Sequence, residues 1–235
     1  VSMHTQVKGK KIKVGYQIHS GEPYLISHVA YDIADYQIHD YLMADSARSY
    51  LKSGSRLDVN KLDQERDRIT QYLQNRGYYR FNKDFITYQV DTMRNSRNVD
   101  LIMKLHPYRR KKEDPPSPHR QYYIRNVDFM FDVDFAELTS GRLKGIDSLR
   151  SGGVNFFYKD KLFLRPQVIS DYNYLKSGNL YRTRDVQSTY SALGRLNILK
   201  YSNIRFREEL EADSAYLDAY VMLTRNKNKS LSFEI

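Results

Sequence analysis

The pentapeptide Tyr-Leu-Lys-Ser-Gly occurs twice in this 235-residue chain, at Tyr50–Gly54 and again at Tyr174–Gly178. Each copy is followed by a large apolar residue, Leu57 or Tyr181, and then by a run in which apolar residues recur at helical spacing. Internal similarity of this kind is typical of tandem domains. The sequence therefore predicts one structural unit that is repeated along the chain.

The similarity extends to both sides of the pentapeptide. A Tyr-x-Ile-x-x-Val pattern precedes each copy, and an apolar strand pattern follows each one. The matching segments are Tyr24–Val29 and Tyr122–Val127 before the pentapeptide, and Val99–Leu105 and Leu217–Leu223 after it. The second copy also contains an additional glycine-punctuated stretch at about 134–161, which predicts a loop that returns through a short added strand at Val154–Tyr158.

Each unit is predicted to have the element order β-α-α-β-β. The sequence thus indicates an α+β fold of tandem units, each a three-stranded mixed sheet covered on one face by two helices. In the first unit we expect strands at 24–33, 81–92 and 98–105, and helices at about 38–51 and from Asp58, a good N-cap, to Gly77. In the second we expect helices at about 166–175 and 183–196, and closing strands at about 204–209 and 216–224.

The domain boundaries follow from the repeat and from composition. Residues 1–20 are expected to be the closing strands of a truncated preceding unit, because Ile12–Ile18 has a closing-strand pattern. Residues 21–110 form one unit, and 111–120, which contain three prolines, form a linker. Residues 121–227 form the second unit with its insertion. Residues 228–235 are expected to begin a removed segment that we expect to be a β-barrel, and Ser230–Ile235 alternates like a strand.

The formal net charge of +10 raises the question of nucleic-acid binding. The basic runs, however, lie beside strands, turns and the linker, and neither repeated helix carries a one-sided stripe of Lys and Arg. A solvated surface or contact with an anionic membrane surface is therefore favoured, and no nucleic-acid partner is expected. Cysteine is absent, which excludes disulfides and thiolate metal sites.

The sequence contains no pattern that is typical of a catalytic or metal-binding site. The six histidines are scattered and form no zinc motif with one another. Asp128, Asp132 and Asp134 alternate, but they lack the glycine and terminal glutamate of a calcium loop. No cofactor, metal or catalytic residue is therefore expected, and the chain is not expected to be an enzyme.

In the order of these motifs the chain resembles tandem POTRA (polypeptide-transport-associated) domains of BamA/TamA-type outer-membrane β-barrel assembly factors. The resemblance rests on Gly21–Val29, on Ser53-Gly54-x-x-Leu57, on Leu73-x-x-x-Gly77-Tyr78-Tyr79 and on their counterparts in the second unit, such as Ser177–Tyr181. The second unit departs from the family pattern in having Asn197–Tyr201 in place of Gly-Tyr-Tyr, and in its long insertion.

The resemblance implies the periplasmic part of a Gram-negative outer-membrane protein that assembles, inserts or translocates other outer-membrane proteins. Its partners would be unfolded outer-membrane proteins or envelope assembly subunits, and the chain would continue into a membrane β-barrel. Clients would bind by adding a strand to an exposed sheet edge. The candidate edge strand is Phe85, Ile86, Thr87, Tyr88, Gln89 and Val90.

Several alternatives remain open at this stage. In one alternative, the candidate strand only completes its own sheet, with its edge closed by a neighbour. Two further alternatives are that the protein secretes one dedicated partner and that it acts purely as a structural spacer. A basic nucleic-acid-binding module is the less favoured reading.

Overall fold

The computed structural model describes residues 2–18, 21–92, 96–111, 113–141, 144–159, 161–211 and 214–226. The strands of these residues form three sheets, with two, three and five strands. The chain divides into two compact units, Val1–Arg66 with Ile86–His106, and Asp67–Phe85 with Pro107–Ile235. This division assigns 67–85 to the second unit, whereas the repeat placed them in the first. The predicted domain boundaries therefore stay a prediction.

Within the described residues, the first unit contains five strands and one α-helix, and it includes the start of a second α-helix. The elements are β1 (Ser2–Lys8), β2 (Lys11–Gln17), β3 (Leu25–Ile33), α1 (Tyr36–Ala44), α2 (Val59–Gln74, which begins here), β4 (Ile86–Thr92) and β5 (Asn98–Leu105). β1 and β2 form an antiparallel hairpin. The other strands form a sheet in the order β3-β5-β4, with β3 parallel and β4 antiparallel to β5. This is the predicted mixed three-stranded sheet.

Side chains from α2, from the segment before it and from the sheet meet in the core of the first unit. Ile26, Leu51 and Leu101 are buried there, and Leu57 and Leu62 pack against them. The Asp58 carboxylate accepts a hydrogen bond from the N–H of Asn60 at 2.8 Å, so the predicted N-cap of α2 is confirmed.

The first helix differs from its predicted bounds. The sequence predicted a single helix at about 38–51, but α1 begins at Tyr36, after the N-cap Asp35, and ends at Ala44. A separate 3₁₀ turn follows at Ser46–Arg48. The Ser46 hydroxyl donates to the carbonyl of Met43 at 2.8 Å. Such local side-chain bonds compete with the helical ladder, which explains why the apolar spacing alone overestimated this helix.

The second unit repeats this arrangement and enlarges it. Its elements are β6 (Tyr122–Phe131), α3 (Phe135–Thr139), β7 (Asp147–Ser151), β8 (Val154–Tyr158), α4 (Pro166–Tyr172), α5 (Thr183–Leu193), β9 (Leu199–Leu210) and β10 (Ala215–Arg225). The sheet order is β7-β8-β6-β10-β9. β10 is parallel to β6 and antiparallel to β9, so these three strands have the same order and directions as β3-β5-β4.

The insertion adds two strands to this sheet, where the sequence predicted one. β8 pairs in parallel with β6 as expected, and β7 pairs with β8 through a turn at Gly152 and Gly153. Both glycines have positive φ, 59° and 77°, which a two-residue hairpin turn requires. β7 carries mainly polar, exposed residues, so it has no apolar alternation by which a sequence could reveal it.

The five-stranded sheet is covered on both faces. On one face α4 and α5 pack over a core that includes Phe129, Phe156 and Leu193. On the other, Met130 and Tyr220 are covered by residues of the insertion, among them Phe135, Leu138 and Ile146. Central strands that are buried on both faces have nearly continuous apolar sequences, as β10 does at 219–223.

The repeated pentapeptide has the same hydrogen bonds in both units. The Gly54 N–H donates to the carbonyl of Ile26 at 2.7 Å, and the Gly178 N–H donates to that of Ile124 at 2.8 Å. The hydroxyls of Ser53 and Ser177 likewise donate to carbonyls of the first strand, at Ser27 and Arg125. In each unit the pentapeptide thus bonds the segment before the second helix to the first strand.

The tyrosine of each pentapeptide is held by a side chain at the same position of the following helix. The N–H of Tyr50 donates to Glu65 Oε2 at 2.9 Å, and that of Tyr174 donates to Thr189 Oγ1 at 3.1 Å. Glu65 and Thr189 are both buried. A buried acceptor therefore satisfies the same backbone donor in the two units, although the residue type differs.

We expect Thr189→Val to lower the free energy of unfolding by about 1–2 kcal/mol. Valine has nearly the same shape, but it leaves the N–H of Tyr174 and the carbonyl of Asp185 without the bonds that the hydroxyl makes at 3.1 and 2.8 Å. Urea unfolding would measure the change. Thr189→Ser keeps the hydroxyl and is the control, so equal losses in the two variants would contradict this role.

Tyr108 and Ser117 exchange two backbone hydrogen bonds of 2.9 Å, so the proline-rich segment closes on itself as a loop. The predicted strand at Ser230–Ile235 lies outside the described residues. Among the helices of the described residues, none is both long and apolar enough to cross a membrane.

Candidate protein-binding edges

The candidate strand lies at an edge of the three-stranded sheet. In the described part of the chain β4 pairs only with β5. The strand begins at Ile86, so the prediction that Phe85 belongs to it is wrong. Phe85 ends a 3₁₀ turn, Lys83–Phe85, and its ring packs on His119 at 4.7 Å between centroids. Ile86 is buried, whereas Thr87, Gln89 and Val90 are exposed.

The register of the sheet shows which backbone groups of β4 face away from β5. The Leu25 N–H donates to the carbonyl of Arg97, so the odd-numbered residues of β5 direct their backbone groups towards β3. The even-numbered residues therefore bond β4, and their partners include Thr87 and Gln89. Backbone bonding alternates along an edge strand. The N–H and C=O groups of Ile86, Val90 and Thr92 consequently point outwards.

The corresponding edge strand of the second unit is partly sealed. β9 is the last strand of its sheet, and the N–H of Ile204 points away from β10. That N–H donates to the Tyr190 hydroxyl of α5 at 2.7 Å, and the hydroxyl in turn donates to Asn203 Oδ1 at 3.0 Å. Helical spacing places Tyr190 on the apolar face of α5 and does not indicate this bond. Tyr190 closes the middle of β9 to a further strand, because the outward donor already has a partner.

A concave pocket of about 590 Å³ lies beside the C-terminal end of β9, within the second unit. We call it the aromatic pocket. It is lined by Tyr78, Phe81, Tyr108, His119, Tyr122 and the β9 residues Glu208 and Leu210, with Arg80, Arg110, Arg120 and Glu211 among the remaining residues. Its volume lies in the range of ligand-binding pockets, about 300–1,000 Å³. No sequence pattern indicates this pocket, because its walls come from three separate segments.

One wall of the aromatic pocket is fixed by an ion pair. Arg80 Nε donates to Glu208 Oε2 at 2.9 Å, and its Nη2 lies 2.5 Å from Oε1. The Tyr122 hydroxyl donates to the same carboxylate at 3.1 Å. Burial, followed by the charge of Glu208, raises the pKa of Tyr122 to about 12. Tyr122 therefore remains a protonated donor throughout the physiological pH range.

A buried carboxylate organises the sheet face that α4 and α5 leave uncovered. Asp218 is only 2% exposed, and it accepts hydrogen bonds from Arg125, Asn126 and Arg207. Burial raises the pKa of Asp218, but these bonds outweigh it, and the pKa lies below its ordinary value. Asp128, on the same sheet, is shifted the other way: burial raises its pKa despite a 2.7 Å bond from Asn155.

The three alternating aspartates do not converge on a common point. The Asp128 carboxylate accepts a hydrogen bond from the Asn155 side chain, and Asp132 Oδ2 lies 3.5 Å from Arg225 Nε. The Asp134 carboxylate accepts a hydrogen bond from the N–H of Ala136 as the N-cap of α3. Within the ranges that the structure describes, no group of three or more His, Cys, Asp or Glu side chains could hold a metal ion. These aspartates are accounted for by structural roles.

Comparisons with known proteins give matches in structure only. No protein-family model matches the chain, and no curated protein gives a match. The structure of BamA from Haemophilus ducreyi lacking POTRA domains 1–3 is similar over 86% of this chain and 30% of that chain, with 14% identity and a TM-score of 0.56. POTRA domains 3–5 of Haemophilus influenzae BamA align over 95% of this chain and 71% of theirs, with 10% identity and a TM-score of 0.47.

The similarity to the Haemophilus ducreyi protein establishes the fold. At this low identity it concerns architecture alone, and the chain spans about a third of that protein's length. The predicted α+β fold of POTRA-like units is confirmed.

Proposed function

We propose that this chain is the periplasmic part of a Gram-negative outer-membrane protein, and that it binds other proteins as a non-enzymatic scaffold. The parent protein would assemble, insert or translocate outer-membrane proteins and would continue into a membrane β-barrel. The POTRA-like fold supports this proposal, since the similar Haemophilus structures are POTRA-containing BamA proteins. The observation that carries it is the edge of β4, which pairs only with β5 in the described residues.

The edge of β4 is suited to strand addition. Val90 is 39% exposed and its backbone groups face outwards, so an extended chain can form the next ladder without any rearrangement of β5. Two of the other sheet edges are less open, because the pentapeptide bonds to β3 and the outward N–H of Ile204 in β9 already has a partner. Backbone pairing requires no particular client sequence, which suits unfolded outer-membrane proteins or envelope assembly subunits as partners.

The exposed apolar face of the β1–β2 hairpin supports a further part of the proposal, in which this hairpin closes a POTRA-like unit that precedes the first unit described above. The register of the hairpin places Met3, Val7, Ile12, Val14 and Tyr16 on one face, and all five are exposed. Lysines and other polar residues occupy the opposite face. The closing strands of the other two units have an apolar face that is buried, so helices of a preceding unit would cover this one. The lysine face supports contact with an anionic membrane surface.

Binding of a peptide that models an outer-membrane strand would test the β4 edge. We expect Val90→Pro to weaken binding by about tenfold or more, because proline removes an outward N–H and blocks the approach of a further strand. The inward bonds of Thr87 and Gln89 remain, so the thermal unfolding temperature should change little. Fluorescence polarisation with a labelled peptide of alternating apolar and polar residues would provide the measurement.

Val90→Thr is the matched control, because threonine keeps both the N–H and the preference for strands. Equal affinities of the proline and threonine variants, with both folded, would refute β4 as the binding edge. A purely structural spacer differs in its expected result: neither the natural protein nor the variants would bind the peptide.

A further inference from the structure

The aromatic pocket adjoins the part of β9 that remains open. The N–H of Glu211 donates to the carbonyl of Ser214, so the odd-numbered residues of β9 bond β10 and the even-numbered residues face outwards. The outward bond of Ile204 to Tyr190 agrees with this register. Beyond Ile204, the outward backbone groups belong to Phe206, Glu208 and Leu210. Two of these three residues, Glu208 and Leu210, also line the pocket.

We infer that the aromatic pocket and β9 from Phe206 to Leu210 form a second peptide-binding site. A short extended segment of a client adds to β9 there and places one aromatic side chain in the pocket. This inference rests on the proposed function, since it assigns a second site to the same scaffold. It differs from strand addition at β4 in selecting a particular side chain.

The seal at Tyr190 limits the length of the bound segment. A peptide that pairs with Leu210 and Glu208 can continue to Phe206, but the next outward donor, that of Ile204, is already bonded. A short ladder provides few hydrogen bonds, each of which contributes only about 0.5–1.5 kcal/mol net. The affinity of this site must therefore come mainly from the side chain that enters the pocket.

The walls of the pocket favour an aromatic occupant. Tyr78, Phe81 and Tyr122 are almost fully buried, and Phe81 packs on the His119 ring at 5.0 Å between centroids. These rings are held in place by their packing, so little entropy is lost on binding. Aromatic pairs contribute about 0.5–1.5 kcal/mol beyond the area that they bury. A phenylalanine or tyrosine of the client would gain this contribution from Tyr108, which is only partly buried, while the buried rings behind it fix the shape of the pocket.

The charges at the rim indicate the residue next to that aromatic side chain. Arg80 is paired with Glu208, which leaves Arg110, Arg120 and Glu211 around the opening. Arg110 and Arg120 are both exposed, and the guanidinium of Arg120 donates to the carbonyl of Glu211 at 3.1 Å. The rim thus carries one more positive than negative charge. An acidic neighbour of the aromatic residue is favoured over a basic one.

The full chain with isotope-labelled backbone amides, titrated with a synthetic peptide, tests this site. The peptide has about ten alternating threonine and valine residues, a central phenylalanine and an aspartate beside it. We expect it to shift the amide signals of Phe206–Leu210 in the Val90→Pro variant, in which the β4 edge is blocked. Leu210→Pro should weaken this binding by about tenfold or more, since it removes an outward N–H and no bond to β10. Ser202→Pro removes an outward N–H of the same strand on the other side of Ile204, outside the proposed site, and should bind normally.

The outcomes separate this inference from the proposed function. Peptide binding that Val90→Pro abolishes completely would overturn the second site and leave the β4 proposal intact. Binding that Val90→Pro leaves unchanged and Leu210→Pro removes would overturn β4 and support the second site. No binding to any variant would overturn both. Replacement of the phenylalanine by alanine, or of the aspartate by lysine, should weaken binding at β9, and equal affinities for all three peptides would overturn the assigned selectivity.

Discussion

Replacing Asp218 by alanine should lower the free energy of unfolding by about 3 kcal/mol. The carboxylate accepts four hydrogen bonds, two of them from Arg125 at 3.0 and 2.7 Å, one from Asn126 at 2.9 Å and one from Arg207 at 3.1 Å. All of them are lost together in the variant. The two arginines are 38% and 46% exposed, so water can solvate the freed guanidinium groups. The loss should therefore stay at the lower end of the range of about 3–5 kcal/mol for a buried pair.

The pH dependence of stability provides a second test of the role of the Asp218 carboxylate. The pKa of Asp218 is lower in the folded than in the unfolded protein, so its contribution is present at neutral pH and is lost as pH falls. The loss should begin near the ordinary aspartate value of about 3.9 and continue to lower pH. Urea unfolding at a series of pH values would show the stability gap between the natural protein and Asp218→Asn closing over this window.

Asp171→Ala, on the exposed surface of α4, is the matched control and should change stability by less than about 0.5 kcal/mol. A gap between the natural protein and Asp218→Asn that stays constant on acidification would show that the ionised carboxylate is not the stabilising form.

The repeat predicted those parts of the fold that depend on short segments of sequence. The pentapeptide forms the same hydrogen bonds in both units because these bonds depend on its own residues. Its serine supplies the hydroxyl donor, and its glycine adopts the positive φ that is seen at Gly54 and Gly178. The order of strands followed from the apolar patterns that flank it. The location of β4 at a sheet edge was implied by the resemblance to POTRA domains, while its role in binding stays a prediction.

Features that depend on distant partners could not be predicted. Tyr190 and Asn203 meet because α5 lies beside β9, and nothing in either segment indicates that the hydroxyl reaches the backbone of Ile204. The same holds for Asp218, which looked like an ordinary residue in a strand pattern. Its guanidinium partner Arg125 lies on a separate strand and far away in sequence. A polar residue at a position where the strand pattern is otherwise apolar was the one signal available.

The glycine content of the insertion predicted only part of its structure. Its glycines predicted a loop, and two of them, Gly152 and Gly153, do form a turn. The part that was missed is the apolar cover over the second face of the sheet. Phe135 and Leu138 lie on one face of the short helix α3 and Ile146 lies beyond it, and all three pack on Met130 and Tyr220. Their contact surface is set by the sheet, so the sequence of the insertion alone did not reveal it.

Gly77→Ala should destabilise the second unit by about 2–4 kcal/mol, through two separate effects. Gly77 has a φ of 94°, a conformation that costs an L-residue about 1–2 kcal/mol. An added Cβ would also lie 2.8 Å from Leu180 Cδ2 and 3.3 Å from Gln121 Cβ. The Gly77 carbonyl accepts the N–H of Tyr122 at 2.8 Å, and Gln121 Nε2 donates to the carbonyl of Arg76 at 2.8 Å. A shift that relieves the close approach would strain these bonds at the start of β6.

Gly178→Ala separates the two effects, because Gly178 has a similar φ of 85° but no atom within 4 Å of an added Cβ. It should cost only the conformational part, about 1–2 kcal/mol. Chemical unfolding of both variants, with a side-by-side comparison of their midpoints, gives the contribution of the close approach as the difference. If the alanine variants lose equal stability, Leu180 and Gln121 adapt without cost, and Gly77 is required for its backbone conformation alone. A larger loss at Gly77 means that the short distance to these two side chains is itself part of how β6 is held.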